Sequence, residues 1–241
     1  MHQQILIERK QYMLQLHNLK DQNIIKVITG VRRCGKSTLL MMFANDIIKK
    51  GVDANQIQFY NFEDLDILSI GDIYQIHTHI KERLIDDKMN YIFLDEVQNI
   101  KEFQRLVDSL YIKPNVDVYI TGSNAYMLSG ELATLLTGRY VEINILPLQF
   151  SEYYHFTLSK SPNLSRNEIL ANYIHFGGIP EYIKQLNNSE KQADLFAQSI
   201  LKTIVEKDIF QRLNITNKHD FNKILDFILD SVGSYVSPRS I

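Results

Sequence analysis

The sequence predicts an α/β protein built on a parallel, doubly wound sheet of five strands sandwiched by helices. Short apolar segments rich in β-branched and aromatic residues alternate with longer segments of helical periodicity. Several of the apolar segments end in glycine, acidic or hydroxyl residues, as expected where strand ends border a ligand site. The strands are expected near residues 24–29, 56–62, 91–94, 117–124 and 139–145.

The first strand leads into a glycine-rich segment. Residues Gly30 to Ser37 read G-x-x-x-x-G-K-S, after the apolar run Ile24 to Ile28 and before a segment of helical periodicity. A strand, a glycine-rich turn and a helix in this order are typical of a phosphate-binding loop. The competing interpretation is an ordinary glycine-rich turn before a surface helix.

Each position of this loop has a chemical reason. Gly30 and Gly35 lack a Cβ, so the backbone can bend and approach an anion closely. Successive N–H groups then point at the β-phosphate, and the helix adds its positive N-terminal end. Lys36 supplies a cation for the β- and γ-phosphates, and Ser37 supplies a hydroxyl for Mg²⁺. The predicted ATP-binding residues of the loop are Gly30, Val31, Arg32, Arg33, Cys34, Gly35, Lys36, Ser37 and Thr38. We expect the side chain of Cys34 to point outward.

The third predicted strand ends in two acids, Asp95 and Glu96, after four apolar residues. At the strand tip, Asp95 is expected to hold Mg²⁺ together with Ser37. Glu96 is expected to polarise the attacking water. The alternative is a purely structural acidic pair.

Two further candidates follow. If the fourth strand lies between the first and the third, Ser123 or Asn124 at its end comes close to the γ-phosphate, with Ser123 preferred. The alternative is an ordinary turn in which one of the two caps the next helix. Arg139 begins the fifth strand, and we expect it on the ligand edge, either as a surface residue or as an arginine that stabilises the transition state.

After Pro147 the pattern becomes helical. The sequence predicts a nucleotide-binding core over 1–148 and a helical lid over 149–213, followed by a further region over 214–241. Within the lid, two glycines end one helix and Pro180 starts the next. This turn is either a simple helix–helix connection or a part of the nucleotide site.

Composition excludes several classes of protein. With a single cysteine, the chain has neither an internal disulfide framework nor a cysteine-based zinc cluster. A net charge of −2 gives no general argument for a nucleic-acid or membrane surface. No apolar run approaches the ~18 residues of a membrane span, and the first residues do not form a signal peptide. We therefore expect a cytoplasmic protein without a membrane partner.

The segments GVRRCGKSTLL, YIFLDEVQ, VYITGSN, GRYVEINILPL and FGGIPEY, in this order, resemble a family of bacterial and archaeal AAA+-type ATPases. Its members are related to the archaeal ATPase and STAND groups. The resemblance covers about residues 5–236, and its first two motifs are specific. It implies a five-stranded P-loop NTPase core followed by a helical lid.

The resemblance also implies roles for individual residues. Gly30–Thr38 matches the Walker A motif, Asp95 and Glu96 match Walker B, and Ser123 falls at the sensor-1 position. Pro180 belongs to the G-x-P element near the adenine, and Arg139 matches an arginine that in AAA+-like assemblies often serves the neighbouring subunit. These matches imply ATP and Mg²⁺ as cofactors and an assembly of several copies.

Family members usually continue into a winged-helix unit and a further domain. The resemblance therefore implies one of two arrangements. Either residues 214–241 begin a winged-helix region that continues beyond this sequence, or that module is missing. A DNA or protein client would act through that further region.

Three functions remain open from sequence alone. The first is an ATPase that acts as a switch or motor. The second is a P-loop kinase for a small molecule, which would need an acceptor pocket. The third is a nucleotide-gated scaffold with little turnover. The adjacent Asp95 and Glu96 favour the first.

Overall fold

The computed structural model describes residues 6–122, 136, 138–181, 183, 190–210 and 215–237. The chain divides into two compact units, Met1–Asp194 and Leu195–Ile241. The predicted division into regions 1–148, 149–213 and 214–241 stays a prediction. Among the described helices, none is long and apolar enough to cross a membrane.

The first unit contains a five-stranded sheet in which every pair of neighbouring strands is parallel, in the order β2-β3-β4-β1-β5. The strands are β1 Ile25–Gly30, β2 Ile57–Asn61, β3 Asn90–Asp95, β4 Val116–Thr121 and β5 Tyr140–Ile145. The predicted fold class is confirmed, and β4 lies between β1 and β3 as expected.

Helices flank the sheet on both faces. The α-helices are α1 Lys10–Leu19, α2 Lys36–Lys49, α3 Leu65–Leu68, α4 Ile73–Lys81, α5 Phe103–Tyr111, α6 Phe150–Lys160, α7 Arg166–Phe176, α8 Glu190–Thr203 and α9 Lys218–Asp230. Two 3₁₀ turns, Ala54–Gln56 and Val97–Asn99, and a π-helical segment, Ile204–Phe210, complete the described elements. In the second unit, the rings of Phe210 and Phe221 meet edge to face, with their centroids 4.9 Å apart.

The alternation of side chains along each strand produces two cores. On one face, Val27 and Leu94 pack with α4 and α5. On the other, Ile28 and Phe93 pack with α1 and α2, where Phe43 meets Phe93 edge to face. Because both faces are covered, the residues of the central strands β1, β3 and β4 are buried on both faces rather than alternating between buried and exposed. A third cluster, around Tyr153 and Ile169, joins α6 to α7.

One predicted helix is shorter than expected. The sequence pattern favours a helix over 72–88, but α4 ends at Lys81. The buried side chain of Asn90 organises the following turn: its Oδ1 accepts from the N–H of Ile85, and its Nδ2 donates to the carbonyls of Ile85 and Lys88. These hydrogen bonds replace those of a continued helix.

A buried ion pair lies near the amino ends of β1 and β4. The ammonium of Lys26 contacts the carboxylate of Asp117, and both side chains are almost fully buried. The same carboxylate accepts from the hydroxyl of Tyr119 at 2.8 Å and from the N–H of Asp21 at 3.0 Å. Burial lowers the pKa of Lys26 and raises the pKa of Asp117, so desolvation opposes both charges. The pair is tolerated because every charge has partners.

The buried pair of Lys26 and Asp117 provides a test of the fold. Lys26→Met should lower the free energy of unfolding by about 3–5 kcal/mol, because it leaves a buried carboxylate without its cation. Adding Asp117→Asn removes that charge and keeps an acceptor for Tyr119 and Asp21. The double variant should therefore be more stable than Lys26→Met by about 2 kcal/mol. Urea unfolding followed by circular dichroism measures both, and equal stabilities would contradict the assignment of the loss to the unpaired charge.

Candidate functional site

The loop after β1 depends on the absence of side chains at two glycines. A Cβ on Gly30, where φ is +150°, would lie 2.4 Å from the carbonyl oxygen of Ile145 and 2.7 Å from Sγ of Cys34. Gly35, at φ +99°, has the left-handed conformation immediately before α2. The two glycines let the chain turn tightly between β1 and the N-terminus of α2.

A cavity of about 170 Å³ lies at this helix N-terminus. Its lining residues come from the loop, the start of α2, the end of β3 and the turn after α7. They are Arg33, Gly35, Lys36, Ser37, Thr38, Glu96, Pro180 and Glu181. Lys36 is only 4% exposed, and its ammonium donates to the carbonyl of Gly30 at 3.4 Å. The cavity thus combines a helix N-terminus with a buried cation, which suits a phosphate group.

Behind Lys36, a buried carboxylate accepts a hydrogen bond from a hydroxyl. Asp95, at the end of β3, is 1% exposed. Its Oδ1 accepts from Oγ1 of Thr121 at 2.5 Å, and the hydroxyl of Ser37 lies close enough to lower the pKa of the carboxyl group. Burial raises the pKa of Asp95, against the opposing effect of the two hydroxyls. The structure therefore brings together Ser37 and Asp95, the two predicted metal ligands.

Glu96 has an uncommon backbone conformation for a residue other than glycine, with φ 54° and ψ 49°. The hydroxyl of Thr121 accepts from its N–H at 2.9 Å. One carboxylate oxygen lies 3.6 Å from the ammonium of Lys36, and the other accepts from the amide of Gln98. The left-handed turn directs this carboxylate into the cavity, where the predicted base belongs.

The turn at Gly178 to Pro180 packs closely on the segment after β5. The N–H of Leu148 donates to the carbonyl of Gly178 at 2.6 Å, and a Cβ on Gly178 would lie 2.3 Å from the carbonyl oxygen of Leu148. Tyr173 also donates to the carbonyl of Leu148, at 2.8 Å. Pro180 lines the cavity next to Gly35, so the turn forms a wall of the phosphate-loop cavity.

The arginines of the loop face carboxylates from other segments. Nη1 of Arg32 lies 3.8 Å from Glu63, and Nη1 of Arg33 lies 3.6 Å from Glu181. Arg33 is itself left-handed, with φ 67°. Val31 is 41% exposed and contributes backbone rather than side-chain packing. The two ion pairs link the loop to the turn after β2 and to the turn after α7.

The expectation that Cys34 points outward is wrong. Its side chain is fully buried, against Gly30 and the apolar cluster under α2. Burial raises the pKa of its thiol, so the thiol stays protonated. A small apolar residue is needed there because the loop closes directly on the sheet.

The expected position of Arg139 is also wrong. Arg139 precedes β5, and its carbonyl accepts from the N–H of Ile25, the first residue of β1. It therefore lies at the amino edge of the parallel sheet, about 20 Å along the strand from the phosphate loop at ~3.3 Å per residue. Its guanidinium contacts Asp108 on α5 and lies over the ring of Tyr111. It is not part of the cavity of its own chain.

The other predictions differ in outcome. Ser123 and Asn124 lie outside the described residues. Three cavity or near-cavity residues were not singled out from sequence: Thr121, Gln98 and Glu181. Thr121 had a visible signal, since it ends a strand that neighbours β3. Gln98 and Glu181 are common polar residues in short turns, and their positions depend on the fold.

The strand order, the phosphate loop between β1 and α2, and the buried carboxylate at the end of β3 together define an AAA+-type P-loop ATPase fold. Residues 22–154 match the model of the AAA domain family, and the chain belongs to this family. Residues 167–241 match a second model, described as a domain of unknown function (DUF8612).

Two curated proteins of longer chain length are similar to this chain in sequence. The chain is 36% identical to an uncharacterized protein from Haemophilus influenzae, over 98% of this chain and 58% of that protein. It is 28% identical to an uncharacterized protein from Methanocaldococcus jannaschii, over 91% of this chain and 49% of that protein. The chain thus spans about half the length of these curated relatives.

Two solved structures show the same fold. One is a Walker-type ATPase of Pyrococcus abyssi, with a TM-score of 0.54 and 17% identity over 86% of this chain and 75% of that chain. The other is Saccharomyces cerevisiae Hsp104 in a complex with casein, with a TM-score of 0.52 and 16% identity over 85% of this chain and 39% of that chain. Both support an ATPase-type fold for the described residues.

Thr121 offers a test of the site that does not depend on activity. Thr121→Val should lower the free energy of unfolding by about 1–3 kcal/mol, because Asp95 and the N–H of Glu96 lose a buried partner. Thr121→Ser keeps the hydroxyl and should cost about 1 kcal/mol or less for the lost methyl. Urea unfolding compares the two variants with the parent. A valine variant as stable as the serine variant would show that the hydroxyl contributes no more than the methyl, and would contradict this role of Thr121.

Proposed function

We propose that this protein binds ATP with Mg²⁺ and hydrolyses it to ADP and inorganic phosphate. The observation that carries the proposal is the convergence of Lys36, Ser37 and Glu96 on one cavity, with the buried carboxylate of Asp95 behind them. Each side chain has a distinct task in phosphoryl transfer, and the AAA-type fold supports nucleotide binding.

Lys36 and the loop backbone would hold the phosphates. The ammonium is buried at the N-terminus of α2, so its charge is little screened by solvent. Gly35 exposes the backbone of the loop to the same cavity. These groups are suited to the β- and γ-phosphates, which carry the most charge.

Ser37 and Asp95 fit Mg²⁺, because a hydroxyl and a carboxylate supply the hard oxygen ligands that this ion prefers. When bound, Mg²⁺ neutralises charge on the β- and γ-phosphates. Thr121 would keep the carboxylate of Asp95 in place through its hydrogen bond. The raised pKa of Asp95 favours binding at a pH above that pKa, where the carboxylate is ionised.

Glu96 would act on the attacking water. It accepts a proton from the water as the water oxygen bonds to the γ-phosphorus and the bond from that phosphorus to the bridging oxygen breaks. ADP leaves with the bridging oxygen. The adjacent acids Asp95 and Glu96 favour an ATPase, but a carboxylate can also accept the proton of a substrate hydroxyl, so the choice between an ATPase and a small-molecule kinase rests on phosphate release.

Two contacts of Glu96 support slow hydrolysis of ATP by the protein on its own. The carboxylate of Glu96 lies 3.6 Å from Lys36 and also accepts from Gln98. Both contacts compete with the water for the carboxylate. A nucleotide-gated switch with little turnover on its own therefore remains the second candidate.

Phosphate release from ATP without any added acceptor separates an ATPase from a kinase.

Substitutions of Lys36 and Glu96 should separate binding from hydrolysis. Lys36→Ala should weaken ATP binding about 10- to 100-fold through loss of a charge-assisted hydrogen bond. Glu96→Gln should bind ATP about as tightly as the parent but hydrolyse it about 10²–10⁴-fold more slowly. Titration calorimetry and a phosphate-release assay measure the two effects.

The matched control is Arg105→Gln, which removes an exposed charge on α5, outside the residues that line the cavity. It should leave affinity and rate within about twofold of the parent, since side chains remote from a site normally act on it weakly. Hydrolysis by Glu96→Gln at the parent rate would remove Glu96 from the mechanism.

Pro180 is expected to contact the nucleotide through its flat, rigid ring. Pro180→Asp adds a negative charge to the wall of the cavity and should weaken ATP binding about tenfold. Pro162→Asp, on an exposed turn, is the matched control and should change affinity less than twofold. Equal affinities of the two folded variants would make the Pro180 turn a connection without a binding role.

A further inference from the structure

Arg9, just before α1, contacts three separate segments of the first unit. Its guanidinium is nearly buried, with the residue 5% exposed. Nε donates to Glu152 at 2.9 Å, Nη2 donates to the carbonyl of Leu146 at 2.8 Å, and Nη1 donates to the carbonyl of Cys34 at 3.4 Å. These partners belong to α6, to the segment after β5 and to the phosphate loop.

The surroundings fix the orientation of this guanidinium. Its Cζ lies 4.7 Å from the ring centroid of Tyr12, whose hydroxyl accepts from the N–H of Leu146 at 3.1 Å. The second oxygen of Glu152 accepts from the N–H of Gln149 at the start of α6. Three donors directed at three acceptors require a planar fork, and a lysine ammonium has a different geometry.

The contact with Cys34 matters because of peptide geometry. The carbonyl of Cys34 and the N–H of Gly35 belong to one planar peptide unit, and in a trans peptide they point in opposite directions. No peptide bond among the described residues is cis. A donor that holds the carbonyl on one side of the loop therefore directs the N–H of Gly35 to the other side.

Gly35 needs such a restraint more than another residue would. It has φ +99°, and glycine reaches alternative backbone conformations at little cost. We propose that Arg9 is a positioning residue that fixes the Cys34–Gly35 peptide, so that the N–H of Gly35 faces the phosphates bound in the cavity. This inference rests on the proposed function, since it assigns a means of preparing the same phosphate site.

Inorganic triphosphate is the probe, because it reports on the phosphate loop without a base or ribose. Arg9→Gln should bind inorganic triphosphate and ATP at least about tenfold more weakly than the parent. This is the cost of losing one charge-assisted hydrogen bond, here the one from the N–H of Gly35 to a phosphate. Arg105→Gln removes an exposed arginine of α5 and should stay within about twofold. Titration calorimetry gives the affinities, and circular dichroism with urea unfolding shows that each variant is folded.

Two further variants separate geometry from charge. Arg9→Lys keeps a cation beside Glu152 but loses the fork, and it should bind triphosphate at least about fivefold more weakly than the parent. Glu152→Gln removes the ion pair and leaves both carbonyl contacts of Arg9, so it should stay within about threefold. Parent-like binding by Arg9→Lys, or an effect of Glu152→Gln as large as that of Arg9→Gln, would show that charge rather than the Cys34 contact matters, and would overturn the inference.

The outcomes also separate this inference from the proposed function. A parent protein that binds neither ATP nor triphosphate contradicts the proposed function and this inference with it. A parent that binds both, beside a folded Arg9→Gln variant of equal affinity, contradicts the inference alone. If Arg9→Gln does not fold, the comparison of Arg9→Lys with Glu152→Gln decides by the same thresholds.

Discussion

The close approach of Gly30 to the end of β5 is the constraint on which the site depends. The space that a Cβ would occupy at Gly30 is already filled by the carbonyl of Ile145 and by the thiol of Cys34. The loop therefore closes directly onto the sheet, and α2 begins where its N-terminus borders the cavity. A larger residue at Gly30 would push the loop outward and separate Lys36 from Glu96, which now lie 3.6 Å apart. Packing of the backbone thus fixes the electrostatics of the site.

Sequence patterns predicted the parts of this arrangement that depend on short segments. The five strands, the glycine-rich loop and the acidic pair at 95–96 are each encoded within about ten residues, and parallel strands bring such ends to one edge. The same rule exposes the error over Arg139. A residue that precedes a parallel strand lies at the edge opposite the loops that follow the strands, so its exclusion from the cavity follows from strand direction alone. The boundary of α4 was missed because the turn depends on the buried amide of Asn90.

Other features depend on contacts between distant parts of the chain, and no local pattern reports them. Arg9 reaches partners 25, 137 and 143 residues away in sequence. Thr121 and Asp95 are separated by 26 residues and meet only because β4 pairs with β3. The burial of Cys34 depends on how tightly the loop packs on β5. In each case the residue type is ordinary, and its role comes from a register or packing arrangement that the fold sets.

The buried pair of Lys26 and Asp117 has a consequence for how this sequence can change over time. Loss of either charge alone costs about 3–5 kcal/mol, a large part of the 5–15 kcal/mol that usually holds a protein folded. A lineage that replaces the pair must therefore pass through an intermediate close to unfolding, or change both positions together. The two positions are therefore expected to change together, although 91 residues separate them in sequence. Lys26 and Asp117 lie at the edge of the sheet opposite the cavity. Their substitution is nevertheless constrained, because it affects the stability of the fold rather than the chemistry.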